Sequence, residues 1–208
     1  VTTTPLPWRD GQVLVPPGVP TTGPGIDAPG TDVTVAIDRD LKHIDVYERA
    51  VFSAAQSSVS LVLPDVASWG TTLTGFEPVV EDLQVELDGR AVRPQREAAG
   101  WFAIPPAGQQ VTRVVLRYRV SGTFVNLNGA GSVRRTIGVP SFTSRGSSES
   151  ADPVRIRIDD PRVLNLNCLS AAAGTTICAD RAGTTWTATL PSDASPVAIA
   201  VADVKPLR

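Results

Sequence analysis

The sequence predicts an all-β protein, an antiparallel β-sandwich of immunoglobulin-like type built as two packed β lobes. Three observations lead there. Apolar residues alternate with polar ones along several segments, the period of a strand with one buried face. An Asp88-Gly89 pair sits between two such segments, a two-residue hairpin signal. Short apolar segments then recur about 8–12 residues apart with Gly, Pro and Ser between them, the rhythm of a sandwich. Helical spacing is weak everywhere; residues 45–56 and the alanines near Ala171 come nearest to it.

In order, residues 1–30 are rich in Pro, Gly and Thr and read as an extended arm or linker, because proline fixes φ and lacks a ladder donor. The alternative is a strap in which Trp8 and Val13 to Val15 fasten the arm to the domain. From Thr31 the period becomes two: Val33, Val35 and Ile37 share one face, with Thr34 and Ala36 opposite. Ile44 and Val46 point inward if 40–48 is a strand, leaving His43, Asp45 and Tyr47 outside. Val59, Leu61 and Leu63 repeat the habit, and Leu83, Val85 and Leu87 alternate with Asp82, Gln84 and Glu86. Val114, Leu116, Tyr118 and Val120 turn inward against Arg113, Arg117 and Arg119. After a Gly/Ser-rich break, 154–159, 162–168, 175–180, 184–191 and 196–204 each read as a short strand. The expected units are the arm, a sandwich over 31–128, and a tail over 129–208. That tail is either a smaller disulfide-bearing β domain or the completion of the first sandwich.

Composition narrows the function classes. Net charge is −2, which gives no global attraction to nucleic acid. Charged residues are 19 %, below the usual quarter or so. No apolar run approaches the roughly 20 residues that span a bilayer, so any membrane contact is expected through a segment outside this chain. With no Met in it, the sequence reads as a processed or excised piece.

Cys168 and Cys178 are the only cysteines. With Leu164, Leu166 and Cys168 on one strand face, a turn at 171–174 returns Cys178 beside Cys168, in reach of a cross-strand bridge. Structural zinc takes four Cys or His ligands, and the chain offers these two thiols and His43, far off in sequence. A nucleophilic thiol needs a base that only His43 supplies. The pair therefore reads as a disulfide, with two buried free thiols as the alternative. A disulfide places the chain in an oxidising, extracytoplasmic compartment.

Other side chains offer weaker leads. His43 near Asp45 is the sole imidazole for acid–base work. Carboxylate pairs occur at Asp38/Asp40, Glu81/Asp82 and Asp159/Asp160, where a glycosidase could find its two acids; turn hydrogen bonding is the simpler role. Arg113, Arg117 and Arg119 form one outward stripe and Arg155 and Arg157 another, suited to an anionic cell-wall polymer or to cross-strand pairing with Asp82 and Glu86. Trp69, in a Gly/Thr-rich loop, could stack a sugar ring. No metal site and no cofactor motif emerges.

The stretches 34–52, 81–94 and 114–124, with the Cys-bearing tail 163–191, resemble the extracytoplasmic β domains of uncharacterised actinobacterial membrane proteins. The resemblance implies export and membrane tethering and carries no catalytic residues; the terminal Lys-Pro-Leu-Arg would then precede a transmembrane helix. The expected function is a non-catalytic cell-envelope domain with a structural or protein-binding role. Its alternatives are a carbohydrate-binding module using Trp69 and a hydrolase using His43 or a carboxylate pair.

Overall fold

A computed structural model describes residues 16, 18–62, 75–97, 100–106, 108–125, 135–139, 143–145, 152–170, 174–190 and 198–205. Among these the chain forms strands and no helix. In chain order the strands are β1 (Gly30–Ile37), β2 (His43–Gln56), β3 (Val59–Val62), β4 (Val79–Leu87), β5 (Arg90–Val92) and β6 (Gln95–Glu97). Next come β7 (Gly100–Ala103), β8 (Val111–Ser121), β9 (Phe124–Val125), β10 (Arg135–Val139), β11 (Thr143–Arg145) and β12 (Val154–Asp159). The last are β13 (Val163–Ser170), β14 (Gly174–Thr176), β15 (Ala179–Ala182), β16 (Thr185–Leu190) and β17 (Ala198–Val204). The stretch 45–56 with its weak helical spacing lies in β2. Its β-branched and aromatic residues pair along both edges, with β1 and β8, and that pairing overrides local propensity.

Three sheets form. The largest has the order β15-β16-β12-β1-β2-β8-β4-β5; a second runs β14-β13-β17-β10-β9 and a third β11-β3-β7-β6. Pairing is antiparallel except between β1 and β12, which lie parallel with Val33 beside Ile156 and Val35 beside Ile158. The all-β, predominantly antiparallel architecture expected from the sequence thus contains one parallel pair. A parallel partner must return by a long crossover, and here 116 residues separate Ile37 from Val154 in the chain, so no local pattern announces the pair.

The alternating residues do what their period requires. Val33, Val35, Ile44, Val46, Val85, Leu87, Val114, Leu116, Tyr118 and Val120 are buried on the core face of the large sheet. Leu61 of β3, Ile137 of β10, Leu166 of β13 and Ala202 of β17 join them in one hydrophobic cluster. Strands from both sides of residue 128 thus share a sheet and a core. At about 25 cal/mol per Å² of apolar surface, this continuous burial is the main stabilising term.

The Asp88-Gly89 hairpin joins β4 to β5, with Leu87 opposite Arg90. Both central residues have positive φ, 44° and 80°, as a type I′ turn requires. The Asp88 carboxylate then accepts hydrogen bonds from the Thr112 and Arg113 amides, pinning the hairpin tip to β8.

Cys168 and Cys178 form a disulfide with a Cα–Cα distance of 5.7 Å. Its geometry differs from a simple cross-strand rung. Thr176 occupies the place opposite Cys168 on β14, and Cys178 lies beyond that strand, where the chain enters β15. The bond therefore ties the second sheet to the outermost strand of the large one. Trp186 of β16 adds to this junction by donating its indole N–H to the Val163 carbonyl at 3.2 Å.

Candidate functional site

Behind the core, the large sheet presents a second face made of the alternate residues: Arg155 and Arg157 on β12, Asp32 and Thr34 on β1, Asp45, Tyr47 and Arg49 on β2. Arg113, Val115, Arg117 and Arg119 on β8 and Gln84 and Glu86 on β4 continue it. Asp32 sits at its centre with no exposed surface. Arg49 lies across one edge of β1 in register with Asp32, and Arg155 across the other. Arg49 Nη2 donates to Oδ2 at 2.6 Å and Arg155 Nε to Oδ1 at 2.7 Å. Burial of a lone carboxylate would be prohibitive, and two guanidiniums at hydrogen-bonding distance make it tolerable.

The same arginines hold residues 18–28 against this face. Arg49 donates to the Pro20 carbonyl at 3.0 Å, Arg155 to Thr22 at 3.1 Å, Arg113 to Ile26 at 3.2 Å, and Arg157 to Gly18. Gly25 comes so close that a Cβ there would lie 2.3 Å from the Arg49 carbonyl oxygen, and its φ is +75°. Only glycine fits. The arm expected over 1–30 is thus, over 18–28, a fastened strap. Guanidinium donors occupy strap carbonyls at Gly18, Pro20, Thr22 and Ile26. Trp8 and Val13 to Val15 lie outside the described residues.

The expected arginine stripe divides. Arg113 is exposed, but Arg117 is 6 % exposed, which corrects its outward, solvent-facing placement. It lies in register between Tyr47 and Gln84, and burial lowers its pKa, the charge of Asp45 partly opposing this. Arg119 pairs with Asp45 on β2 at 3.0 Å rather than with Asp82 or Glu86 on β4. The reason is a bulge: β4 slips register between Glu81 and Gln84, and Asp82 takes a positive φ of 53° within it. Burial alone would pull the Arg119 pKa down, but the hydrogen bond and charge of Asp45 outweigh it and the pKa is raised. Tyr47 is raised, chiefly by burial, with Arg49 opposing and Glu86 and Asp32 adding.

His43 begins β2, its Nδ1 3.7 Å from Asp38 Oδ2, both side chains partly covered. Asp38 belongs to the turn between β1 and β2: its carbonyl accepts from the Leu41 amide and its carboxylate from the Lys42 amide. Arg162 reaches that turn from across the molecule, donating to the carbonyls of Ile37, Asp38 and Arg39 while gripping Asp160 at 2.7 Å. Asp159 accepts from the hydroxyls of Thr184 and Thr185. The carboxylate pairs at Asp38/Asp40 and Asp159/Asp160 therefore include residues at work in turns and strand ends. Trp69 lies outside the described residues.

Two features escaped the pattern reading. Asp32 is one; the other is Glu48, fully buried on the core face of β2, where its Oε2 accepts from the Tyr118 hydroxyl at 2.8 Å. Counting on by twos from Ile44 and Val46 places Glu48 inside, so the signal was present.

Between the strap and the β4–β5 hairpin the second face opens into a groove of about 620 Å³. Gly25 and Ile26 of the strap line it, with Arg49, Arg113 and Val115 of the sheet and Glu86, Asp88 and Gly89 of the hairpin. Cations, carboxylates and apolar atoms all reach it. It is the candidate binding site.

No protein-family model matches the chain, and no curated protein matches it. Solved structures with a similar course include an aminopeptidase N family protein from Idiomarina loihiensis, at 11 % identity and a TM-score of 0.45. That match covers 83 % of this chain and 29 % of the other. An M1 zinc metallopeptidase from Deinococcus radiodurans matches at 15 % identity and a TM-score of 0.35, over 85 % of this chain and 42 % of that one. The chain spans less than half the length of either.

Proposed function

We propose that the chain is a non-catalytic domain of the cell envelope that acts by binding a protein partner outside the cytosol, in the manner of immunoglobulin-like interaction domains. A tether outside this chain would hold it at the membrane. The observation that carries the reading is the employment of its charged side chains. Asp32, Asp38, Asp88 and Asp160, with Arg49, Arg155, Arg157 and Arg162, fasten backbone segments to one another. Groups so employed are held in fixed partnerships, whereas acid–base catalysis requires a group poised to exchange its proton with substrate. The disulfide supports an oxidising compartment, because cytosolic thiol buffers keep such pairs reduced.

The test is cross-linking on intact cells that express the tagged protein, followed by mass spectrometry of captured peptides. The reading expects a reproducible envelope protein linked through surface residues of this chain. Hydrolysis of ester, peptide or glycoside substrates by the purified protein, abolished by His43→Ala, would overturn it in favour of the hydrolase alternative.

A further inference from the structure

We propose that the groove between the strap and the β4–β5 hairpin binds a small zwitterion of the α-amino acid class, its carboxylate on Arg113 and its ammonium on Glu86. The inference stands apart from the compartment and partner proposed above. It begins with a contrast on the second face of the large sheet. There, acid and base neighbours join directly: Asp45 with Arg119 at 3.0 Å, and Asp32 with both Arg49 and Arg155.

Glu86 and Arg113 do not. Glu86 lies opposite Val115 on β8, and Arg113 stands two residues before Val115 on the same side of the strand. They are diagonal neighbours about 7–8 Å apart at the backbone, close enough for two long side chains to meet. Arg113 instead turns its Nη2 to the Ile26 carbonyl of the strap, and among the described residues no ion pair joins it to Glu86. The groove of about 620 Å³ occupies this gap, a size in the range of small-molecule sites.

Opposite charges held apart over a partly apolar lining define what fits between them. A carboxylate accepts charge-assisted hydrogen bonds from the remaining guanidinium N–H groups, and an ammonium donates to the Glu86 oxygens. A side chain between them meets Ile26 and Val115, while Gly89, which carries no side chain, leaves room for the ligand's α-carbon. A ligand with one charge satisfies one pole only. A neutral sugar meets no aromatic platform among the lining residues.

The experiment is a titration followed by amide chemical shifts, with L-leucine as the zwitterion. Its single-charge counterparts are 4-methylpentanoate and 3-methylbutylamine, and a neutral disaccharide serves as the uncharged probe. Leucine is expected to saturate with shifts centred on Gly25, Gly89 and Thr112, and each single-charge analogue to bind at least about tenfold more weakly. Glu86→Gln and Arg113→Gln, confirmed as folded by their unchanged distant amides, each weaken leucine by about tenfold or more. The proposal is overturned if leucine gives no saturable shifts up to its solubility limit, if one single-charge analogue binds as well as leucine, or if the disaccharide binds better.

Discussion

Asp32 and Arg155 stand side by side across the parallel β1–β12 pair, joined Oδ1 to Nε at 2.7 Å although they lie 123 positions apart in the chain. This contact joins the sheet's only parallel pair among the described residues and, through the rest of the guanidinium, holds the strap. Replacing Asp32 by Ala leaves two guanidiniums facing each other over a buried gap. The expected cost is about 3–5 kcal/mol, the range for breaking a buried pair, read as a lower denaturant midpoint. Protease cleavage within 18–28 should accelerate in the same variant, since Arg49 and Arg155 lose the anchor that aims them at Pro20 and Thr22.

Tyr118→Phe tests the second buried acid. It removes the hydroxyl that donates to Glu48 and leaves that carboxylate poorer by one hydrogen bond inside the core. A loss of about 1–3 kcal/mol is expected at neutral pH. Tyr118→Phe combined with Glu48→Gln should lose less than the two separate losses added together, because the pair acts as one unit.

Tyr47 gives a pH signature. Its pKa in the folded protein is raised by burial, so the folded state holds the phenolic proton more tightly than the unfolded chain does. The associated stability is fully present below the ordinary phenol value of about 10 and is lost as pH rises through the folded value. Stability measured between neutral and strongly alkaline pH should therefore fall beyond about pH 10, and Tyr47→Phe should flatten that part of the fall.

The groove makes a separate demand on the hairpin. Asp88→Ala removes the acceptor for the Thr112 and Arg113 amides and should cost about 1 kcal/mol. Gly89→Val should cost more, because a β-branched residue resists the positive φ of 80°.

The sequence announced what depends on near neighbours. Val85 and Leu87 against Glu86, and Val114 and Leu116 against Arg113, carry their burial in a period of two, and the Asp88-Gly89 turn is written in two adjacent residues. The cysteine pair was legible by elimination, but not its role as a link between sheets, because the place of Cys178 depends on where β15 joins another sheet. What stayed hidden depends on distant chain. Asp32 looks like a solvent-facing residue until β12 arrives beside it with Arg155. Residues 18–28 look like linker until four arginines from three strands supply their hydrogen bonds. Arg117 looks exposed by alternation, yet Tyr47 and Gln84 flank it in register. Trp69, the sugar-stacking candidate, lies outside the described residues.

The account's central claim is a domain that matures outside the cytosol, two of its three sheets locked by a sulfur–sulfur link. Peptide mapping under non-reducing conditions tests it most directly, on protein taken from its own cells with thiols blocked at lysis. The account predicts that the peptides holding Cys168 and Cys178 travel as one linked species and separate only on reduction. Recovery of both cysteines carrying the blocking group, with no linked species, would contradict it.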